Sequence, residues 1–499
     1  MKKNIINLNK NPIVKSTIIL IICSLLIKVL SLVNRVLLTR LLGNDGISLY
    51  VLCLPTIMLF ISIAGFALNP AVTKIVSENE VTNKYTNRKI FLSALKIGLI
   101  VCIITILILL IIIKPLTNDW LKQENTFYPI LSTIIIIPII MCNGVFRGYF
   151  NGINNVKISA YANVIEQVSR IVIGIIFLYI FLPYGLVVSV TMAIVSMAFG
   201  EFISLIYIFV KMKKRKKTIY NIIQDNNPTK EIMKVAFPTT ISRLVNNLEF
   251  FLEPIIYTLA LTKINFPQKE IIYKYSEITA YAIPLITMFS FFSSSISSSI
   301  SPSISKFGIS DDTKSLRKLS KKALLFSLLP SIVIAIIFTL YSKQFMNLIY
   351  KTDIGANYVK KYAILLILFY LQAPLVTILQ SLGKAKQLLK ITAVLNTIKL
   401  ILLYLLTFID YISFDSLIIS LIINTILFTT ILLVYVIKIT KIKILLSDIL
   451  RLVIIVLFTI IFSFIINNFI SNYLLATLFI IIFYIILIYL LELKGVHNE

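Results

Sequence analysis

Histidine is almost missing from this chain: His497, in the polar tail, is the single one among 499 residues. Histidine-based catalysis or metal ligation inside an apolar core is thereby excluded. Cysteine is scarce too. Cys23, Cys53, Cys102 and Cys142 all fall in apolar stretches without metal-ligand spacing, and read as small core residues. Charge is the largest deficit, at 14% of residues where a soluble domain carries roughly a quarter. No Walker-type glycine loop occurs, so this chain alone is not expected to drive transport with ATP. No nucleophile–base–orienter set is visible either, and neither a cofactor nor a metal site is expected. No stretch between apolar runs is long enough to be a folded domain. That counts against a membrane-embedded glycosyl transferase or polymerase, which needs an extracytoplasmic loop rich in acids and histidines.

What is present is apolar: 58% of residues are hydrophobic and the mean hydropathy is +0.95. Such a chain has too little polar surface to cover itself in water, so lipid is the solvent for much of it. Only helices or closed barrels satisfy the backbone there, and a core of about 30 Å needs ~20 apolar residues in helix. Stretches near 13–33, 47–68, 90–113, 127–149, 158–181, 185–210 and 235–261 qualify. So do those near 277–300, 321–342, 358–380, 388–408, 413–437, 448–468 and 472–491. The expected fold is all-α, with about fourteen transmembrane helices. The first apolar run follows Lys2, Lys3 and Lys10 as a signal peptide would, but it is long, lacks a small-residue cleavage site and is followed by further spans. It is read as an uncleaved first span.

The net charge of +27 comes from short loops between spans, a topology signal rather than a nucleic-acid patch. With the N-terminus inside, the basic runs 74–89, 211–217, 314–322, 384–390 and 438–443 all fall on the cytoplasmic side. The outer loops 182–185, 409–412 and 469–471 hold no Lys or Arg. Both termini are therefore expected in the cytoplasm. The basic connector 211–234 anchors this topology and is suited to anionic lipid. Heavy use of Ile, Lys and Asn points to an AT-rich bacterial genome, hence a bacterial inner membrane.

An internal repeat organises the spans. Asn-Pro-Ala-Val-Thr-Lys (69–74) matches Ser-Pro-Ser-Ile-Ser-Lys (301–306), and Lys-Ile-Ser-Ala-Tyr-Ala-Asn-Val-Ile-Glu (157–166) matches Lys-Ile-Thr-Ala-Val-Leu-Asn-Thr-Ile-Lys (390–399) at nearly the same spacing. The matched units lie six spans apart, and an even number preserves orientation. Two parallel six-helix lobes are expected, 1–210 and 235–440, with spans 13 and 14 (441–499) added. This is a transporter plan, with a cavity between lobes and alternating access by rocking. A two-lobed chain of this kind can work as a monomer.

Charges inside spans carry the most information, because each costs a few kcal/mol or more unless paired or hydrated. Lys28, Asn34 and Arg35 lie on span 1, Glu166 and Arg170 on span 5, Glu201 on span 6. Arg243, Glu249 and Glu253 lie on span 7 and Lys399 on span 11. Glu166 and Arg170 are one helical turn apart and suit a structural pair. Lys96 and Arg147, near cytoplasmic span ends, read as snorkelling side chains. The Ser-rich run 293–305 reads as a close-packing face. Through the repeat, Glu166 and Lys399 are equivalent positions of opposite charge, expected to face the cavity. Buried cations suit a phosphate-bearing substrate, here a lipid-linked saccharide whose tails stay in the bilayer. With the cytoplasm negative, each negative charge moved outward gains roughly 2.3 kcal/mol per 100 mV. A cation-coupled antiporter using Glu166, Glu201, Glu249 or Glu253 is the alternative.

Taken together, several motifs resemble the stage V sporulation protein B group of polysaccharide and oligosaccharidyl-lipid exporters, within the superfamily of multidrug extruders and lipid II flippases. They are Lys28-Val29-Leu30, Asn34-Arg35, Arg40-Leu41-Leu42-Gly43, Arg147-Gly148-Tyr149-Phe150-Asn151-Gly152 and Val164-Ile165-Glu166-Gln167 with Arg170. Ser242-Arg243-Leu244-Val245, Leu252-Glu253-Pro254 and Tyr281-Ala282-Ile283-Pro284 continue the match. The resemblance implies a fourteen-helix, two-lobed fold and outward flipping of undecaprenyl-linked precursors, for the sporulation members in spore cortex synthesis. The chain departs from the lipid II flippases in offering Lys28, Asn34 and Thr279 where those carry cavity arginines. It departs from the drug extruders in having no acid in span 1 to bind a coupling cation.

Overall fold

The computed structural model describes residues 12–213, 227–310, 312–442, 446–470 and 472–490, with side chains from residue 22 onward. The termini with Lys2, Lys3, Lys10 and His497, and most of the basic connector expected over 211–234, lie outside the described residues. Among the described residues there is no strand, as expected of a chain whose backbone must be satisfied within each segment.

By contact the chain divides into two compact units, Met1–Ser276 and Glu277–Glu499. The first holds α1 (Pro12–Gly65), α2 (Leu68–Thr82), α3 (Asn87–Pro115), α4 (Thr133–Gly152), α5 (Val156–Phe181), α6 (Leu186–Lys213), α7 (Thr229–Lys263) and α8 (Gln268–Ser276). The second holds α9 (Phe291–Ile309), α10 (Thr313–Tyr350), α11 (Ala356–Ala363), α12 (Leu366–Ser381), α13 (Ala385–Thr407), α14 (Ser416–Thr440), α15 (Leu446–Phe469) and α16 (Tyr473–Leu490). Short helical turns complete the connections.

Twelve helical stretches among the described residues are long and apolar enough to cross a membrane. The pair α11 and α12, bent by 65°, passes the same test when the two are taken together as one broken span. The first stretch, Ile22–Thr82, runs for 61 residues, about 90 Å at 1.5 Å per residue and enough for two crossings. It is broken at Gly43, whose φ of 65° and ψ of −171° are not helical. Counting both of its arms gives the fourteen expected.

The repeat put span 7 in the second lobe, whereas contact groups α7 with the first unit, against α1, α2 and α3. Symmetry and contact are different criteria, and a helix at the start of one repeat can pack on the other.

Small residues set the closest approaches in the first unit. A Cβ on Gly148 of α4 would lie 2.7 Å from the Asn69 carbonyl oxygen and 2.9 Å from Val72 Cβ on α2. One on Gly152 would lie 2.6 Å from Val76 Cβ. Thr73 Oγ1 and Ser77 Oγ then donate to the carbonyls of Gly148 and Gly152, at 3.2 and 2.9 Å. This is the small-residue packing by which helices associate when lipid removes the hydrophobic drive between them. The second unit packs a different core. Ile300, Ile304, Leu375, Ile378, Leu379, Leu432 and Val436 bury one face each of α9, α12 and α14. Some serines of α9 face the same way: Ser293 donates to the Tyr370 carbonyl, and Ser301 and Ser381 hydroxyls are 2.9 Å apart.

Candidate functional site

The charged positions of the first unit gather around α4, α5 and α6. Arg147 of α4 is only 14% exposed in its side chain. Its Nη2 donates to Glu166 Oε2 at 2.8 Å, to Glu201 Oε2 at 3.4 Å and to Ser204 Oγ at 2.8 Å. Glu166 in turn accepts from Arg170 Nη2 at 2.9 Å through its other oxygen. Glu201 accepts from Asn143 Nδ2 at 2.6 Å. Two acids and two guanidiniums thus alternate in one chain and leave no net charge, which suits a site removed from water. Gly200 makes it possible. A Cβ there would stand 2.8 Å from the Glu166 carbonyl oxygen and 3.1 Å from Arg170 Cβ, so glycine lets α6 close on α5 and deliver Glu201.

The snorkelling expected of Arg147 is therefore corrected. Its side chain lies across the helix bundle as the centre of the network, because two carboxylates from neighbouring helices compensate it where it stands. Nothing local marks this, since its partners come from positions 166 and 201. The sequence signal available was its place in the Arg147-Gly148-Tyr149-Phe150-Asn151-Gly152 motif. The Glu166–Arg170 turn pair is present as spaced.

A second group forms where α1 bends. Arg35 and Tyr50 are fifteen residues apart, about 22 Å along an unbroken helix. The break at Gly43 turns the chain back, and the Arg35 guanidinium lies over the Tyr50 ring, 5.9 Å from its centroid. Such a stacked guanidinium keeps its hydrogen-bonding edge for other partners. Tyr50 itself is buried, at 5% exposure, so the Arg35 contact lies away from the surface. Tyr257 of α7 and Tyr275 of α8 pack with centroids 6.0 Å apart. Glu253 is 4% exposed, Glu249 half-buried.

The remaining candidates stand apart. Asn34 is half-buried beside Arg35, while Lys28 on α1 and Arg243 on α7 are exposed. Lys399 belongs to the second unit, where it is 6% exposed on α13. In the same unit the Tyr362 hydroxyl is 2.7 Å from Thr425 Oγ1. The structure thus brings Glu166, Glu201 and Arg170 into one network, while Arg35 meets Tyr50 across the bend of α1. Asn143, Arg147 and Ser204 join the network, and Tyr50 joins Arg35, without having been singled out by sequence as members of a site.

Comparison with known proteins adds the lineage. The family model described as polysaccharide biosynthesis protein matches residues 13–263, and the MatE model matches 278–405. Stage V sporulation protein B of Bacillus subtilis (strain 168) is 31% identical over 383 residues, covering 75% of this chain and 74% of that protein. Among solved structures, lipid II flippase MurJ in an inward closed conformation aligns with a TM-score of 0.70 at 15% identity, over 96% of this chain and 100% of that one. An inward-facing multidrug resistance MATE transporter of the MOP superfamily aligns with a TM-score of 0.66 at 14% identity, over 83% and 94%. At these identities the structural likeness speaks for the fold.

Proposed function

The chain belongs to the polysaccharide biosynthesis protein family that includes stage V sporulation protein B, and from that premise we propose that it is a flippase for a lipid-linked saccharide in the bacterial cell membrane. The observation that carries this is the arginine pair. Inside membrane-spanning helices, Arg35 lies over the Tyr50 ring and Arg170 is held in place through Glu166, Arg147 and Glu201. Guanidiniums with fixed orientation are the donors that replace the water lost by a diphosphate. The substrate of this reading is an undecaprenyl-diphosphate-linked precursor of peptidoglycan or another polysaccharide, with spore cortex as its destination.

In this mechanism the polyprenyl tail stays in lipid and the polar head alone follows the protein path. Lys28 and Arg243, exposed on α1 and α7, meet the diphosphate first by long-range attraction, and the arginine pair receives it. The protein exposes the site to the two leaflets in turn. The membrane potential favours outward movement of the negative head by roughly 2.3 kcal/mol per charge per 100 mV, so no coupled ion is required. Both termini are cytoplasmic in this reading, and one chain suffices. Against cation-coupled antiport stands the fact that Glu166 and Glu201 share the Arg147 guanidinium. A coupling ion would have to displace that guanidinium.

Depletion in the source organism, followed by analysis of lipid-linked precursors, tests the proposal. Accumulation of one precursor in the inner leaflet is expected. Unchanged precursor pools together with increased drug sensitivity would overturn it in favour of antiport.

A further inference from the structure

Four segments that the charge alternation places on the outer side of the membrane converge in the first unit. They are the start of the second arm of α1, residues 123–125, the start of α6, and α8. Together they line an open cleft of about 530 Å³, within the ~300–1,000 Å³ usual for small-molecule sites. Its polar lining comes from Asp45, Gln123, Asn125, Gln268, Lys269 and Tyr273. Its apolar lining comes from Leu49 and Ile272, both buried, and from Leu186 and Val187 at the start of α6.

The walls are fixed in place. Tyr273 Oη donates to Asp45, and Gln268 Nε2 donates to the Leu121 carbonyl at 2.9 Å. Ser48 Oγ donates to Ser276 Oγ at 2.7 Å. The Lys269 ammonium lies over the Tyr273 ring, 5.6 Å from its centroid. The backbone of Gln123 is tied as well, donating to the Thr117 carbonyl at 2.8 Å. Three groups still face a ligand: the carbonyl end of the Gln268 amide and the side-chain amides of Gln123 and Asn125. Among the described residues those last two have no hydrogen-bond partner.

The charge content selects the ligand class. One carboxylate and one ammonium cancel, so the pocket has no net attraction for a phosphate or a cation. Amides provide donors and acceptors side by side, the arrangement that matches neighbouring hydroxyls, each of which both donates and accepts. An apolar lining suits the C–H face of a sugar ring. We infer that this pocket is a saccharide-binding site on the extracytoplasmic side. It takes the uncharged glycan of the substrate as the head emerges, separately from the diphosphate-holding arginines. The identity of its ligand as the transported glycan rests on the flippase reading; its chemistry as a saccharide site does not.

Trp120 supplies the readout. It is the chain's single tryptophan and stands next to Leu121, whose carbonyl holds Gln268. Purified full-length protein in detergent is titrated with free chitotriose and free maltotriose, with glycerol and inorganic phosphate as controls, following Trp120 emission. Saturable change with an oligosaccharide and none with phosphate is expected. The exposed or half-buried pair Gln123→Ala and Asn125→Ala should weaken that binding at least tenfold together, with the thermal midpoint unchanged. In intact spheroplasts, an Asn125→Cys variant made with Cys142→Ser should react with an impermeant maleimide and be protected by the same sugar. No emission change with either sugar, equal binding by the doubly substituted protein, or phosphate competing with the sugar would each overturn the site. Failure here with precursor accumulation on depletion removes this pocket alone. Sugar binding without such accumulation removes the flippase reading and leaves the saccharide site.

Discussion

At the scale of single residues, the network is held by Arg147 and the bend by Gly43. Removing one partner of a buried ion pair costs about 3–5 kcal/mol, because a charge is left uncompensated. Arg147→Gln leaves Glu201 without a cation, though Glu166 keeps Arg170, whereas Arg170→Gln leaves both carboxylates paired to Arg147. The first is therefore expected to destabilise the purified protein by several kcal/mol more, read as thermal midpoint in detergent. Adding Glu201→Gln to Arg147→Gln should restore part of the loss; no restoration would show that Glu201 is not compensated by Arg147. Gly43 makes a separate case. Its combination of positive φ and extended ψ is essentially confined to glycine and costs a side-chain-bearing residue about 1–3 kcal/mol. A Cβ there meets nothing within 4 Å, so Gly43→Ala tests backbone strain alone. A midpoint equal to wild type would show that the bend does not depend on glycine. The sequence revealed the Glu166–Arg170 pair because helical spacing is local. It hid Arg147's partners and the Arg35–Tyr50 contact, since one requires three helices to meet and the other depends on a single dihedral.

At the scale of elements, α2 against α4 is a tight seam. With Cβ positions 2.6–2.9 Å from Val72, Val76 and the Asn69 carbonyl, methyl groups at Gly148 and Gly152 force the helices apart. Overpacking of this kind costs about 1–3 kcal/mol, so Gly148→Ala and Gly152→Ala should each lower the thermal midpoint. Gly144→Ala serves as the control on the same helix, since its nearest atoms lie 3.8 Å away. Equal effects at all three positions would contradict a specific seam. Outside the membrane, Asp312 caps α10: its Oδ1 accepts from Ser315 N at 3.0 Å, and hydrogen bonds from Ser315 hold its carboxyl below the usual range. A depressed carboxyl stabilises the fold above its unfolded pKa, near 3.9, and the gain disappears as pH falls through the folded value. Asp312→Ala should thus lower the midpoint at pH 7, and its difference from wild type should shrink below about pH 4. A difference that persists there would exclude the charge as its cause. The spans themselves were legible, because twenty apolar residues in a row permit little else. Which helices touch was not, as the packing of α7 on α1 shows.

At the scale of the molecule, the flippase reading predicts that opposite ends of the first unit meet opposite solutions. Lysines 74 and 84 border a cleft at one end with Glu231, and Asn125 borders the saccharide pocket at the other. Substituted cysteines at Lys74 and Asn125 should label from inside and outside respectively; labelling from one side would refute the assigned topology. Joint replacement of the exposed cations, Lys28→Gln with Arg243→Gln, should slow transport of a lipid-linked precursor at least tenfold with folding intact. Normal transport would remove them from the path. Fold class and span number were readable from hydropathy over the whole chain, since lipid imposes them on every segment. The saccharide pocket was not, being assembled from four segments that are far apart in sequence and unremarkable in composition. The turn at Gly43 has one further consequence, for how the chain tolerates length variation. Its two arms abut at a single residue, so the first two spans form a hairpin without slack. One residue inserted within either arm, between Arg35 and Tyr50, would rotate one flank by about 100° and advance it 1.5 Å, carrying Tyr50 off the guanidinium. This part of the chain acts as a ruler, able to change its side chains but not its length.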